Sequence, residues 1–213
     1  MKLLNFYFGV VLVSGISGVG MAQNTVTTLS AAQLPKEVSY EGNLKSAQQW
    51  SDLAGKHIVV LSETGIVQNP KFTHENDGSD AELFAYHFVK EGAVFVQTWK
   101  VYDFIKDCPL DLAASFVENA FTVTDLNKDG ISEIWVMYKT VCHGDVSPCD
   151  MKIIMYQGQQ KYAMRGQNKV EVAPNEYYGG AYKFDLAFNQ APKSFRDFAL
   201  KLWNKHLIQK WGE

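Results

Sequence analysis

The chain of 213 residues has only three cysteines and no Cys-x-x-Cys pair, which excludes a dense disulfide scaffold and a dithiol redox centre. Gly-x-Ser-x-Gly, His-Glu-x-x-His and a glycine-rich phosphate loop are all absent, and no histidine has a partner at metal-ligand spacing. These absences remove the local signatures of serine hydrolases, zinc peptidases and nucleotide-binding folds. A glycosidase is not removed, because its paired carboxylates come from distant strands and leave no local mark. The formal charge of −3 provides neither a basic field for nucleic acid nor an acidic tail. With 46% hydrophobic and 13% aromatic residues, the chain has material for one generous core without relying on disulfides.

The N-terminus has the pattern of an export signal. Lys2 supplies a positive start, Leu3 to Val13 an apolar run, and Gly20-Met21-Ala22 the small residues of a cleavage site, giving a signal peptide over 1–22. Asn5, Gly9, Ser14 and Gly15 dilute the run, so it matches poorly the roughly 20 strongly apolar residues of a spanning helix. A retained membrane anchor is the alternative. Export places the mature chain in the periplasm or at the cell surface, without a transmembrane segment.

Residues 23–36, rich in Thr, Ser, Ala and Gln, read as a flexible leader, and 37–213 as a single β-rich domain. Ala47 to Leu53 suggests a helical turn stopped by Gly55, and His57 to Leu61 a buried strand. Gln68 to Asp80 is a polar loop. Glu82–Lys90 and Ala93–Phe104 alternate around Glu91-Gly92 as a hairpin, and Leu110 to Phe116 alternates as a half-buried strand. Met151–Tyr156 and Lys161–Arg165 flank Gly158. Asn168 to Gln190 loses alternation, and Tyr177-Tyr178-Gly179-Gly180 reads as an aromatic loop. Phe195, Phe198, Leu202 and Trp203 repeat at helical spacing after a Ser194/Asp197 capping box, predicting a helix over 193–211. The expected fold is mainly β (α+β): an antiparallel β-meander with a C-terminal α-helix packed on the sheet.

The chemically specific stretch runs from Thr122 to Thr140. Asp125, Asn127 and Asp129 alternate, Gly130 stands sixth, Ile131 seventh and Glu133 ninth. Such a loop can offer Ca²⁺ its oxygens from side chains and from the Ile131 carbonyl. The twelfth position of the loop is Val136, so no EF-hand is formed. The stretch resembles the calcium loop of FG-GAP and integrin-type repeats, which implies Asp125, Asn127, Asp129, Ile131 and Glu133 as metal ligands, with Glu where Asp is usual. The alternative is an ordinary turn in which Asn, Asp and Gly bond their own backbone.

Cys108, Cys142 and Cys149 allow three disulfide pairings and leave one thiol. Cys108 with Cys142 closes the longer loop and removes more unfolded-state entropy than Cys142 with Cys149, which would clip HGDVSP. A metal or nucleophile site on His143, Asp145 and Cys149 is the alternative use of that loop.

Several stretches together resemble an exported bacterial family labelled surface polysaccharide biosynthesis protein. They are Trp50 with VVLSETG (Val59 to Gly65), ELFAYHFV (Glu82 to Val89), KDCPLDL (Lys106 to Leu112), EIWVMYKT, CHGDVSP with MKIIMY, and YAMRG (Tyr162 to Gly166). The resemblance implies an envelope role and carries no catalytic residues. The leading expectation is a non-enzymatic envelope accessory protein with a structural calcium loop, binding surface polysaccharide or an envelope protein. A second is a glycan hydrolase or transferase using carboxylates such as Glu63, Asp103 or Asp145, and a third an inhibitor module inserting the 142–149 loop.

Overall fold

The structure, a computed structural model, describes residues 25–209; the expected signal peptide and its cleavage site lie outside them. The first strands are β1 (Thr27–Thr28), β2 (Asn43–Asp52), β3 (Gly55–Val67), β4 (Ser79–Glu91) and β5 (Val94–Cys108). They pair antiparallel in chain order as one five-stranded sheet. Next come β6 (Leu112–Phe116), β7 (Thr122–Thr124), β8 (Glu133–Cys142), β9 (Asp150–Gln157), β10 (Gln160–Gln167), β11 (Lys169–Ala173), β12 (Glu176–Gly179) and β13 (Tyr182–Phe184). The second sheet runs β13-β10-β9-β8-β6, with β7 also paired to β8. Helices α1 (Leu186–Gln190) and α2 (Lys193–Lys205) follow, and a last strand, β14 (Ile208–Gln209), joins β11 and β12 in a small third sheet. The chain is thus mainly β and antiparallel, with the C-terminal helix packed on a sheet.

Alternation along the strands decides the layers. Val59, Leu61, Leu83 and Val101 of the first sheet meet Val136, Ile154 and Ala163 of the second in the central core. The opposite face of the second sheet, with Trp135, Met137 and Ile153, is covered by Phe188, Phe195, Ala199 and Trp203 of the helices. Residues at i and i+2 share a face, so Ile134, Val136 and Tyr138 enter one core while Trp135 and Met137 enter the other. Both faces of β8 are therefore buried, as its apolar run implies.

Residues 25–36 are not an unstructured lead-in. Thr27 and Thr28 pair with Gln49 and Gln48, Ala31–Gln33 makes a 3₁₀ turn, and Leu29, Leu34 and Val38 pack over Ile58, Val60 and Phe88. These apolar residues lack a period because the segment is a strap across the outer face of the first sheet. The helical turn expected at Ala47–Leu53 is instead the end of β2, where pairing with β3 overrides local preference. Helix 193–211 is corrected to Lys193–Lys205, because Ile208 and Gln209 leave it to pair parallel with β11. Its N-cap is Pro192 without a side-chain cap, and Asp197 binds Lys193 at 2.6 Å rather than closing a capping box. The aromatic loop at Tyr177–Gly179 lies in β12. Cys108 and Cys142 are joined, tying the ends of β5 and β8 and thereby the two sheets; Cys149 is a buried free thiol.

Candidate functional site

The acidic loop bridges β7 and β8 as a bend. Gly130, at φ +81°, turns the chain where an added Cβ would lie 2.3 Å from Leu53, and the Leu53 N–H donates to the Gly130 carbonyl at 2.9 Å. Asp125 Oδ2 accepts the Gly130 N–H at 3.2 Å, while its Oδ1 is buried without a partner. Asp129 Oδ1 accepts the Ile131 N–H at 2.8 Å, and its Oδ2 takes the amides of Asn127 and Gln157 at 2.8 and 2.9 Å. Glu133 is fully buried and turned inward, accepting from the Thr124 hydroxyl at 2.7 Å and the Leu126 N–H at 2.9 Å. Burial, reinforced by the charge of Asp125, holds its carboxyl above the usual range.

All five expected ligands thus sit in one loop, but most of their oxygens are engaged by the loop itself. Among the described residues, no group of three His, Cys, Asp or Glu side chains is gathered closely enough to hold a metal ion. Calcium fits this arrangement at one point, the orphaned Asp125 Oδ1. Elsewhere it would have to replace hydrogen bonds already made.

Beneath the loop lies a constellation that strand patterns conceal. Asp52 Oδ2 accepts the Ser132 N–H at 2.9 Å, and its Oδ1 meets His57 Nε2 at 2.7 Å. His57 Nδ1 faces His87 Nε2 at 3.0 Å, and His87 Nδ1 meets the Thr98 hydroxyl at 2.5 Å. Trp50 stacks on His57 at 5.1 Å and Trp99 on His87 at 4.9 Å, so the polar chain is walled by indoles. Burial opposes ionisation of Asp52, yet the bonds from His57 and Ser132 outweigh it and hold the carboxyl well below its ordinary range. Burial and the neighbouring His57 push His87 down to about 3. A cavity of about 170 Å³ touches Asp52, His57, His87, Thr98 and Ser132. The sequence presents His57 and His87 as isolated sheet residues. The available signal was a histidine at an inward position of each of two consecutive apolar strands.

The chain matches no family model, no curated protein and no solved structure.

The three carboxylates expected of a glycan-cleaving enzyme are dispersed among different partners. Glu63 accepts the Phe116 N–H at 2.7 Å in a cleft of about 480 Å³ between the sheets, and Asp103 pairs with Lys152 at 2.5 Å. Asp145 caps Ser147 at 3.0 Å in the exposed part of the 142–149 loop, where His143 Nδ1 meets the Asp145 carbonyl at 3.0 Å.

A surface that sequence reasoning missed lies on the outer face of β4 and β5. Phe84 stacks on Tyr102 at 5.1 Å and 12°, Tyr102 on Phe104 at 5.3 Å and 22°, and Phe104 on Phe72 at 5.1 Å and 21°. Tyr102 is 40% and Phe104 37% exposed, and Lys71 Nζ stands 5.1 Å from the rings of both Phe72 and Tyr102. Phe72 reaches this row from the polar loop 68–80, which three carboxylates pin in place. Asp80 accepts the Asn69 N–H at 2.6 Å, Glu82 accepts the Asn69 amide at 2.6 Å and the Tyr102 hydroxyl at 2.7 Å, and Lys71 also pairs with Glu82. Asp107 accepts the N–H groups of Glu75 at 2.9 Å and Gly78 at 2.9 Å.

Proposed function

We propose that the protein is an exported envelope accessory protein that binds a surface saccharide on the platform of Phe72, Tyr102 and Phe104, with calcium in a structural role at the acidic loop. The observation that carries the binding reading is the exposed row of nearly parallel rings held by a pinned loop. The apolar C–H face of a pyranose packs on such rings, while its hydroxyls need hydrogen-bonding groups at the rim, supplied here by Lys71 and Tyr102. An exposed apolar patch bordered by polar groups marks an interaction surface, and a loop ordered beforehand lowers the entropic cost of binding. The worded resemblance to an exported polysaccharide-related family supports the same reading.

Calorimetric titration with purified envelope polysaccharide tests it. Phe104→Ala is expected to weaken binding at least tenfold while unfolding temperature stays within a few degrees, because the ring is partly exposed already. Equal affinity of both proteins removes the platform from the binding reaction.

For calcium, support comes from the unpartnered Asp125 Oδ1 and the buried carboxylate of Glu133 beside it. With a dissociation constant of roughly 0.1 to 1 mM, typical of extracellular modules, ~10 mM Ca²⁺ stabilises the folded state by about 1.4 to 2.7 kcal/mol. Thermal unfolding with Ca²⁺ and with chelator should therefore differ by several degrees, and Asp125→Ala should abolish the difference. Superimposable curves for the unaltered protein would leave the loop as a self-bonded turn.

A further inference from the structure

Three cations stand in one row across the second sheet. In the register of β9, β10 and β13, Lys152 lies directly opposite Arg165, and Arg165 directly opposite Lys183. Like charges facing each other on adjacent strands destabilise a sheet, so the row needs a compensating charge. Lys152 has one, Asp103 at 2.5 Å. Among the described residues Arg165 and Lys183 have no ion pair, and both are exposed. Lys161, two residues from Ala163 as Arg165 is, adds a fourth positive group to this face of the sheet. Burial holds its ammonium below the ordinary value and the charge of Arg165 lowers it further, against the opposing pull of Asp185 and Asp103.

The row lines a shallow, open depression of the surface. Two adjoining open depressions of about 520 Å³ each share Arg165 and Lys183 as lining residues. That size is within the range of small-ligand sites. Gly166 brings β13 close, since a Cβ there would lie 2.0 Å from the Ala181 carbonyl oxygen. Two carboxylates border the depressions. Asp185 is engaged by the N–H groups of Ala163 at 2.9 Å and Phe188 at 2.8 Å, and Asp150 is exposed at the rim.

We propose that the row Lys152, Arg165 and Lys183 is a binding site for an oxyanion carried on a saccharide, either a uronate carboxylate or a sugar phosphate. This rests on the saccharide-binding reading above and adds the charge class of the ligand. The guanidinium of Arg165 offers the planar, two-pronged donor set that carboxylate and phosphate match, and Lys183 adds a point charge beside it. Such an anion supplies the negative charge that the register leaves out.

The decisive variant is Lys183→Glu, measured with polygalacturonate, a phosphomannan and neutral dextran as probes. It places opposite charges face to face, so the unfolding temperature should hold or rise. Affinity for the anionic polymers should fall at least tenfold, and in the unaltered protein should weaken on raising salt to ~0.5 M. Whichever anionic polymer binds more tightly distinguishes carboxylate from phosphate. Unchanged affinity in the variant overturns the proposal, as does binding of dextran without either anionic polymer, and both results leave the saccharide reading standing. Failure of all three polymers to bind overturns this proposal, and failure of the envelope polysaccharide as well overturns the saccharide reading with it.

Discussion

Lowering the pH from 7 to 4 is expected to remove about 3 kcal/mol from the stability of this protein, with His87 as the principal cause. In the folded state burial and His57 lower its pKa from 6.5 to about 3. Between those values the unfolded chain binds a proton that the folded chain refuses, so stability falls as pH falls through that window. His206, lowered by burial and by Lys205, contributes with the same sign, and Glu133, whose carboxyl burial raises, with the opposite sign. Asp52 and Asp80 act in a lower window: their depressed carboxyls contribute stability above the unfolded value of 3.8, and it is lost only on further acidification. Urea unfolding at pH 7 and 4 measures the difference. His87→Gln, which cannot titrate, should be less stable at pH 7 and should lose most of the change. Equal stability of the unaltered protein at both pH values would mean that folded His87 takes up the proton readily.

The parts of the fold legible in the sequence were those made by neighbours in the chain. The hairpin of β4 and β5 could be read because aromatic and β-branched residues alternate on both sides of a short turn. The two buried faces of β8 could be read from Ile134 to Tyr138, and α2 from the spacing of Phe195 to Trp203. Loop entropy favoured Cys108 with Cys142 over Cys142 with Cys149 but did not by itself select among the three pairings. The strap at Leu29 to Val38 could not be read, because its apolar residues answer to a sheet surface formed by strands that come later. The aromatic platform is likewise hidden in the sequence, since Phe72 comes from a polar loop and meets Phe104 only once Asp80, Glu82 and Asp107 have gathered that loop. The cationic row depends on strand register, which local composition does not specify. At the acidic loop the sequence defined the bend but left its chemistry open. Asp, Asn and Gly suit both a cation and an Asx-type turn, and the two uses differ only in where the carboxylate oxygens point.

The polar chain beneath that loop gives the largest expected mutational effect. Asp52→Ala removes the acceptor of a buried carboxylate–imidazole pair, whose side chains are 2% and 6% exposed, and strips their acceptor from the His57 N–H and the Ser132 N–H at about 1 to 3 kcal/mol each. Asp52→Asn should cost only about 1 to 2 kcal/mol, because the chain can reverse its direction. With a carboxylate at Asp52 and one proton on each ring, His57 donates to Asp52, His87 to His57, and Thr98 to His87. With an amide there, the Nδ2–H donates to His57, His57 to His87 and His87 to Thr98. The Thr98 hydroxyl then has the His87 carbonyl, 3.3 Å away, to receive its proton. The remaining amide oxygen keeps the Ser132 N–H, and the Ala54 N–H, 2.7 Å from Asp52 Oδ1, loses its partner at a residue exposed to water. Chemical denaturation of the two variants measures the costs, and imidazole ¹⁵N shifts should report His57 protonated at Nδ1 in Asp52→Asn. Equal losses from Asn and Ala would show that the charge at Asp52, rather than an unbroken hydrogen-bond chain, anchors the acidic loop to the sandwich.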